Sequence, residues 1–140
     1  MAMEYHRLLV PVAGTTADDE AMKLACTLAH KGKTKIWAMY VVILDRSLPV
    51  DAEVEPEIKR GEEILDHMES VAEDMGFEIS TDFMQAREAG PAIVDTAAEH
   101  NADLIIMGIK YKQRLGQFSL GSVVPYVLKN ARCRVMLYQQ

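Results

Sequence analysis

The segment MGIKYKQRLGQFSLGSVVPY (Met107–Tyr126) contains residue types that bind phosphate, and it lies between two apolar runs. Gly121 and Ser122 stand where a helix is predicted to begin, and the free backbone N–H groups of a helix N-terminus favour anions. Gly121 lets a phosphate approach the backbone closely, and the Ser122 hydroxyl can donate a hydrogen bond. The alternative is structural, with Gly121 forming a turn and Ser122 capping the helix. Three basic residues of this loop could neutralise phosphate charge or could simply be solvated: Lys110, Lys112 and Arg114.

The loop must be positioned by a sheet, and apolar runs along the chain predict one. The run Phe77–Met84 alternates apolar and other residues, which predicts a strand with one solvated face at an edge of the sheet. The run Asp103–Gly108 is the most uniformly apolar, so we expect it near the centre. Three further runs predict buried strands: Arg7–Val12, Lys35–Val42 and Cys133–Tyr138.

Helical patterns fill the intervals between these strands. Thr15 or Thr16 can cap the first helix, with Asp18 or Asp19 supplying the carboxylate of a capping box. We expect that helix to bury Ala21, Leu24, Ala25 and Leu28 and to close at Gly32. The other three helices are predicted within Glu57–Met75, within Arg87–Ala102 with Pro91 in the first turn, and within Ser122–Ala131 with Pro125 in the first turn.

Strands that alternate with helices predict a doubly wound α/β fold, an open parallel five-stranded sheet sandwiched by four helices. We expect the strand order 3-2-1-4-5 and one domain over residues 1–140. Ligands of such sheets bind beyond the carboxyl ends of the strands, where the strand order reverses. The loops after strands 1 and 4 would then flank one crevice.

Composition limits the classes of function. The net charge of −6 argues against a general nucleic-acid binder. The first residues contain no apolar run typical of a signal peptide, and no segment is apolar enough to span a membrane, so we expect a cytoplasmic protein without a membrane partner. Cys26 and Cys133 lack metal or redox spacing and are expected to be buried free thiols.

The chain resembles the universal stress protein (UspA-type) family over nearly its whole length, from RLLVPVAGTT through ADLIIMG and LGS to NARCRVMLY. Nucleotide-binding members carry Gly, two residues, Gly, nine residues, then Gly and Ser or Thr. Gly108, Tyr111, Gly121 and Ser122 occupy these positions here. The resemblance implies binding of ATP or a related adenine nucleotide, with or without Mg²⁺.

The resemblance also implies which residues would contact the nucleotide. The loop after the first strand and the end of the second would enclose the adenine through Pro11, Val12, Ala13, Thr15 and Val41. The ribose and phosphates would face Met107, Gly108, Ile109, Lys110, Gly121, Ser122 and Val123, with Arg114 supplying further positive charge.

Two residues depart from the family pattern. Ala13 stands where the family usually has aspartate, and loss of that charge-assisted hydrogen bond would cost about 1.5–3 kcal/mol. Tyr111 replaces the second motif glycine, and its side chain would crowd the phosphates or restrict the backbone. These changes keep a second hypothesis open, a ligand-free dimeric protein that acts through protein partners while its nucleotide site has degenerated.

Evidence for catalysis is thin, and we predict no catalytic residue and no metal site. The four histidines are expected to be exposed or near helix caps: His6, His30, His67 and His100. Glu53, Glu55 and Glu57 suit the start of a helix rather than an active site. Any ATP hydrolysis would be slow and would lack an obvious base. A flavin-binding relative of the fold is a further alternative, although the chain leaves little room for a larger cofactor.

The last strand predicts an oligomer. CRVMLYQQ would end the chain at a sheet edge, and a bare apolar edge strand invites pairing. The family resemblance implies a homodimer through this C-terminal strand. A monomer whose edge is blunted by Arg132, Arg134 and the glutamines is the alternative. The connection between residues 43 and 56 is expected either to fold over the crevice as a lid or to be loose.

Overall fold

The structure is a computed structural model that describes residues 4–110, 113–114, 117–118 and 122–140. Within these ranges no helix is both long enough and apolar enough to cross a membrane. Tyr111, Lys112 and Gly121, on which part of the phosphate prediction rests, lie outside the described residues.

Five parallel strands form the main sheet, in the order β3-β2-β1-β4-β7. Because β7 is the fifth strand of this sheet, the predicted order 3-2-1-4-5 is confirmed, and so are both predicted edges. A two-residue antiparallel hairpin, β5 with β6, lies in the loop after β4 and was not predicted. The strands span β1 Arg7–Val12, β2 Lys35–Ile43, β3 Ser80–Ala86, β4 Leu104–Ile109, β5 Gln113–Arg114, β6 Gln117–Phe118 and β7 Arg134–Gln139.

Four helices cover the two faces of the sheet, as predicted. The core consists of two layers, one on each face of the sheet. Successive side chains of β1 point to opposite faces, so Leu8 and Val10 pack in one layer and Leu9 packs in the other. The first layer contains buried residues of α1 and α2, and the second contains those of α3 and α4. The helices span α1 Thr16–Leu28, α2 Glu55–Asp74, α3 Ala89–Glu99 and α4 Val123–Asn130.

Several local predictions need correction. Helix α1 ends at Leu28 rather than Gly32, because Ala29 is extended and the N–H groups of Lys33 and Thr34 bond to the His30 carbonyl in a separate turn. Leu24 and Leu28 are only partly buried. The helix instead turns Met22 and Cys26, with Ala21 and Ala25, towards the core, since it packs against both β4 and α2.

Two other predictions also differ from the structure. Strand β3 begins at Ser80, because the chain leaves α2 through a turn in which the Phe77 N–H bonds to the Ala72 carbonyl. Cys26 is a buried free thiol as expected, but Cys133 is only partly buried because it lies immediately before the outermost strand β7.

Candidate functional site

A cavity of about 310 Å³ opens at the carboxyl ends of β1, β2 and β4, where the strand order reverses. Its position agrees with the general rule for open parallel sheets. We call it the crevice. The structure brings eight of the sequence-predicted site residues together around it: Pro11, Val12, Ala13, Val41, Met107, Gly108, Ile109 and Val123.

The remaining predicted site residues lie elsewhere or are not fully described. Thr15 borders a different cavity, between α1 and α2. Ser122 borders a neighbouring cavity near the N-termini of α3 and α4, and Lys110 is exposed just beyond β4. The backbone of Arg114 belongs to β5. Gly121 lies outside the described residues.

Seven other residues border the crevice and were not predicted. Met39 and Ile43 could have been found, because they alternate with Val41 along β2 and therefore share its face of the sheet. No local pattern in the sequence predicts which residues of α3 and α4 border the crevice, because that depends on how each helix packs over the sheet. The seven residues are Asp18, Met39, Tyr40, Ile43, Ala89, Ile93 and Val124.

Asp18 organises the loop after β1. Its Oδ2 accepts hydrogen bonds from the backbone N–H groups of Ala13 at 3.1 Å, Gly14 at 2.7 Å and Thr15 at 3.0 Å. Thr15 is the N-cap of α1, so the predicted capping box is confirmed with Asp18 as its carboxylate. An internal carboxylate therefore occupies N–H groups that could otherwise bind an external anion.

The charge of Asp18 is held in an unfavourable environment. The residue is 2% exposed, and burial raises the pKa of its carboxyl above the ordinary value of 3.8. The three backbone N–H groups act in the opposite direction, because they stabilise the ionised form, and the neighbouring charge of Asp19 adds a smaller upward effect. Burial is the largest of these influences.

The connection between β2 and α2 is fastened to the end of β3. The guanidinium of Arg87 donates to the carbonyls of Asp45 and Leu48, and the amide of Gln85 donates to the carbonyl of Val50 at 3.0 Å. These bonds tie the connection to the residues at the end of β3. Ile43, where the connection begins, borders the crevice directly.

The histidines stand apart from the crevice. His6, His30 and His67 are exposed, as predicted, and His67 pairs with Asp19 at 3.0 Å. His100 is the C-cap of α3, but it does more than end the helix: its ring stacks on Trp37 with centroids 4.3 Å apart, and its Nε2 lies 2.8 Å from Asp82. Among the described residues, no group of three or more metal-ligating side chains is arranged to hold a metal ion.

Comparison with known proteins places this sequence and fold in a family. A model described as the universal stress protein family matches residues 4–139. Universal stress protein MJ0531 of Methanocaldococcus jannaschii is 32% identical over 142 residues, which cover 97% of this chain and 83% of that protein.

Solved structures share the same fold. The universal stress protein from Archaeoglobus fulgidus in complex with dAMP superposes with a TM-score of 0.75 at 20% identity, covering 96% of this chain and 98% of that one. A universal stress protein family protein from Arabidopsis thaliana with AMP bound has a TM-score of 0.66 at 14% identity, covering 96% and 92%. The family model spans nearly the whole sequence, and universal stress protein MJ0531 is 32% identical over 97% of this chain. The chain therefore belongs to the universal stress protein family.

Proposed function

We propose that the chain is a single universal stress protein domain, residues 1–140, that binds ATP or a related adenine nucleotide in the crevice and acts as a sensing module. The observation that carries the proposal is the crevice itself, about 310 Å³ at the ends of β1, β2 and β4. This volume is near the lower end of the roughly 300–1,000 Å³ typical of small-molecule sites. Family members of the same fold have been solved with dAMP and with AMP.

The residues that line the crevice support one orientation of the ligand. Its walls are mainly apolar, which suits a nucleobase between the ends of β1 and β2, near Pro11 and Val41. The ribose and phosphates would then extend past Gly108 towards the start of α4 and the exposed Lys110. There the helix N-terminus at Ser122 and the basic loop, with Mg²⁺ where present, would offset the phosphate charge.

A second candidate is a ligand-free dimeric protein that acts through protein partners. Asp18 favours this alternative, because its carboxylate already occupies three backbone N–H groups of the first loop, and Ala13 adds no polar side chain there. Both candidates include a homodimer through β7 and a cytoplasmic location. Neither assigns a catalytic residue, and any ATP hydrolysis would be very slow.

Calorimetric titration with ATP and Mg²⁺ tests the proposal. We expect micromolar binding by the parent protein and none by Val41→Trp, because the indole would fill the crevice. The matched control is Val50→Trp, at a position that is 58% exposed and outside the crevice, and it should bind as the parent does. Gly121→Gln tests the phosphate end, where a side chain should block the loop. A folded protein that gives no heat at millimolar ATP would favour the ligand-free alternative.

A further inference from the structure

Strand β3 presents an open edge. It is the outermost strand on its side of the sheet, and in the described part of the chain it pairs with β2 alone. The N–H of Leu44 bonds to the Ala86 carbonyl at 2.9 Å, so the backbone groups of Ala86 face β2. Because these groups alternate in direction along a strand, those of Thr81, Phe83 and Gln85 face outward. No described residue bonds to these outward-facing backbone groups.

This edge lacks several features that usually prevent strands from pairing. Natural proteins protect an edge strand with lysine, proline, a bulge or a short length. Strand β3 has seven residues, STDFMQA, and contains no lysine, proline or glycine. The connection after β2 bonds near its carboxyl end, through Gln85 and Arg87, whereas Thr81 and Phe83 are exposed. The outer side of β3 can therefore accept another strand.

A cavity of about 390 Å³ lies beside β3, on the side of the sheet that α3 covers. We call it the β3 groove. Three exposed carboxylates border it, from Glu88, Asp95 and Glu99, and none of them forms an ion pair with a described residue. Arg87 is the one cation among the described lining residues, and its guanidinium already donates to two carbonyls. The groove therefore favours a positively charged occupant.

The opposite side of the same edge is apolar. Phe83 is 37% exposed, and its ring lies against Tyr40 beneath Gly61 of α2. Successive side chains of an added strand would point to opposite faces of the sheet. Alternate residues of that strand would therefore meet the acidic β3 groove, and the residues between them would meet the Phe83 ring.

We infer that the outer edge of β3 binds an extended segment of another protein in which basic and apolar residues alternate. Backbone hydrogen bonds to Thr81, Phe83 and Gln85 would hold the segment, and the two faces of the edge would select its side chains. Lysine or arginine would pair with the carboxylates of the β3 groove, and the apolar residues would cover Phe83. The inference does not depend on the proposed nucleotide binding.

Fluorescence anisotropy with a labelled peptide tests the inference. The probe matches the seven residues of β3 in length, alternates lysine with valine and is blocked at both ends. We expect saturable binding to the parent protein. Thr81→Pro should bind at least about tenfold more weakly, because proline removes an outward N–H and is tolerated at a sheet edge. Thr81→Ala keeps this N–H and is the matched control, with an affinity within about twofold of the parent.

Charge reversal on α3 tests the β3 groove independently of the backbone. The double variant Asp95→Lys with Glu99→Lys should bind the lysine–valine peptide roughly tenfold more weakly and should gain binding of a glutamate–valine peptide. The double variant Glu69→Lys with Glu73→Lys is the control. It changes the net charge equally at exposed positions of α2 outside the groove, and it should bind the lysine–valine peptide as the parent does.

The contrary outcomes are distinct. If the lysine–valine peptide does not bind the parent at millimolar concentration, the inference is wrong, whatever the nucleotide titration gives. If Thr81→Pro and Thr81→Ala bind it equally well, charge alone holds the peptide and strand pairing is wrong. If Thr81→Pro converts a dimeric parent into a monomer, a second copy of the chain occupies this edge instead. Should Thr81→Pro not fold, the charge-reversed variants still decide.

Discussion

Gly108 and Ala17 lie so close together that no side chain fits between them. A Cβ at Gly108 would be 2.3 Å from the Ala17 carbonyl oxygen and 2.6 Å from its carbonyl carbon. Because these are backbone atoms in the first turn of α1, they cannot rotate away. The first glycine of the motif is therefore required by the close approach of β4 to α1, whether or not a nucleotide binds.

Replacing Gly108 by alanine should destabilise the protein by about 3 kcal/mol, at the upper end of the range for overpacked positions. Denaturant unfolding followed by circular dichroism would measure this loss. Gly32→Ala is the control: nothing lies within 4 Å of a Cβ there, but φ is +78°, so only backbone strain of about 1 kcal/mol is expected. If the two variants lost equal amounts of unfolding free energy, β4 would be able to move away from α1 to make room for the added methyl group.

The carboxyl of Asp18 should make stability depend on pH. Its folded-state pKa is raised by burial, so below 3.8 its contribution to stability is fully present, and it is lost as pH rises through the raised folded pKa. Relative to Asp18→Asn, the parent protein should therefore gain stability as pH is lowered from 7 towards 4. The slope should not exceed about 1.4 kcal/mol per pH unit.

Urea unfolding of the parent and of Asp18→Asn at several pH values would measure this difference. Asp19→Asn serves as the control, because Asp19 is only partly buried. If the free energy of unfolding of the parent instead rose relative to that of Asp18→Asn as pH increased, the result would contradict the raised pKa.

Strand β7 provides the test of the proposed homodimer. The N–H of Gln140 bonds to the Ile109 carbonyl of β4. Backbone groups alternate in direction along a parallel strand, so the N–H of Val135 should point away from β4, towards the free edge. Val135→Pro should then remove a bond across the dimer while preserving the ladder to β4, and the protein should become monomeric.

Size-exclusion chromatography with light scattering would measure the mass of this variant. The control is Met136→Pro, whose N–H should point towards β4, so that it should destabilise the sheet itself. If the Val135→Pro protein remained dimeric, the dimer interface would not be formed by β7.

The two cysteines should react slowly with thiol reagents in the folded protein. Burial raises the pKa of both thiols, and the charge of Asp103 raises that of Cys133 further, which lowers the fraction of reactive thiolate. Cys26 is only 3% exposed and should react after Cys133. Reaction with a chromogenic disulfide, before and after denaturation and in Cys133→Ser, would measure the order. Rapid labelling of the native protein would indicate an activated thiol instead.

Part of the site followed from local patterns in the sequence. The apolar runs predicted β1 and β4, and the carboxyl ends of adjacent parallel strands must meet at one edge of the sheet. This topology predicts that the loops after β1 and β4 flank one crevice, whereas the individual residues Pro11, Val12 and Met107 follow from the family resemblance. Asp18 was also expected, but only as a capping residue, since the capping box is a short-range signal.

The amino-acid sequence by itself determined the alternation of strands and helices, the edge positions of β3 and β7, and the family, because periodicity and motif spacing are local properties of the chain. Only the tertiary structure decided which oxygen of Asp18 accepts the three backbone N–H groups, why residue 108 must be glycine, and how Arg87 fastens the connection after β2. These features depend on contacts between segments distant in sequence, such as Gly108 with Ala17 and Arg87 with Asp45. Their geometry is set by how the helices pack on the sheet, and no local pattern encodes that packing.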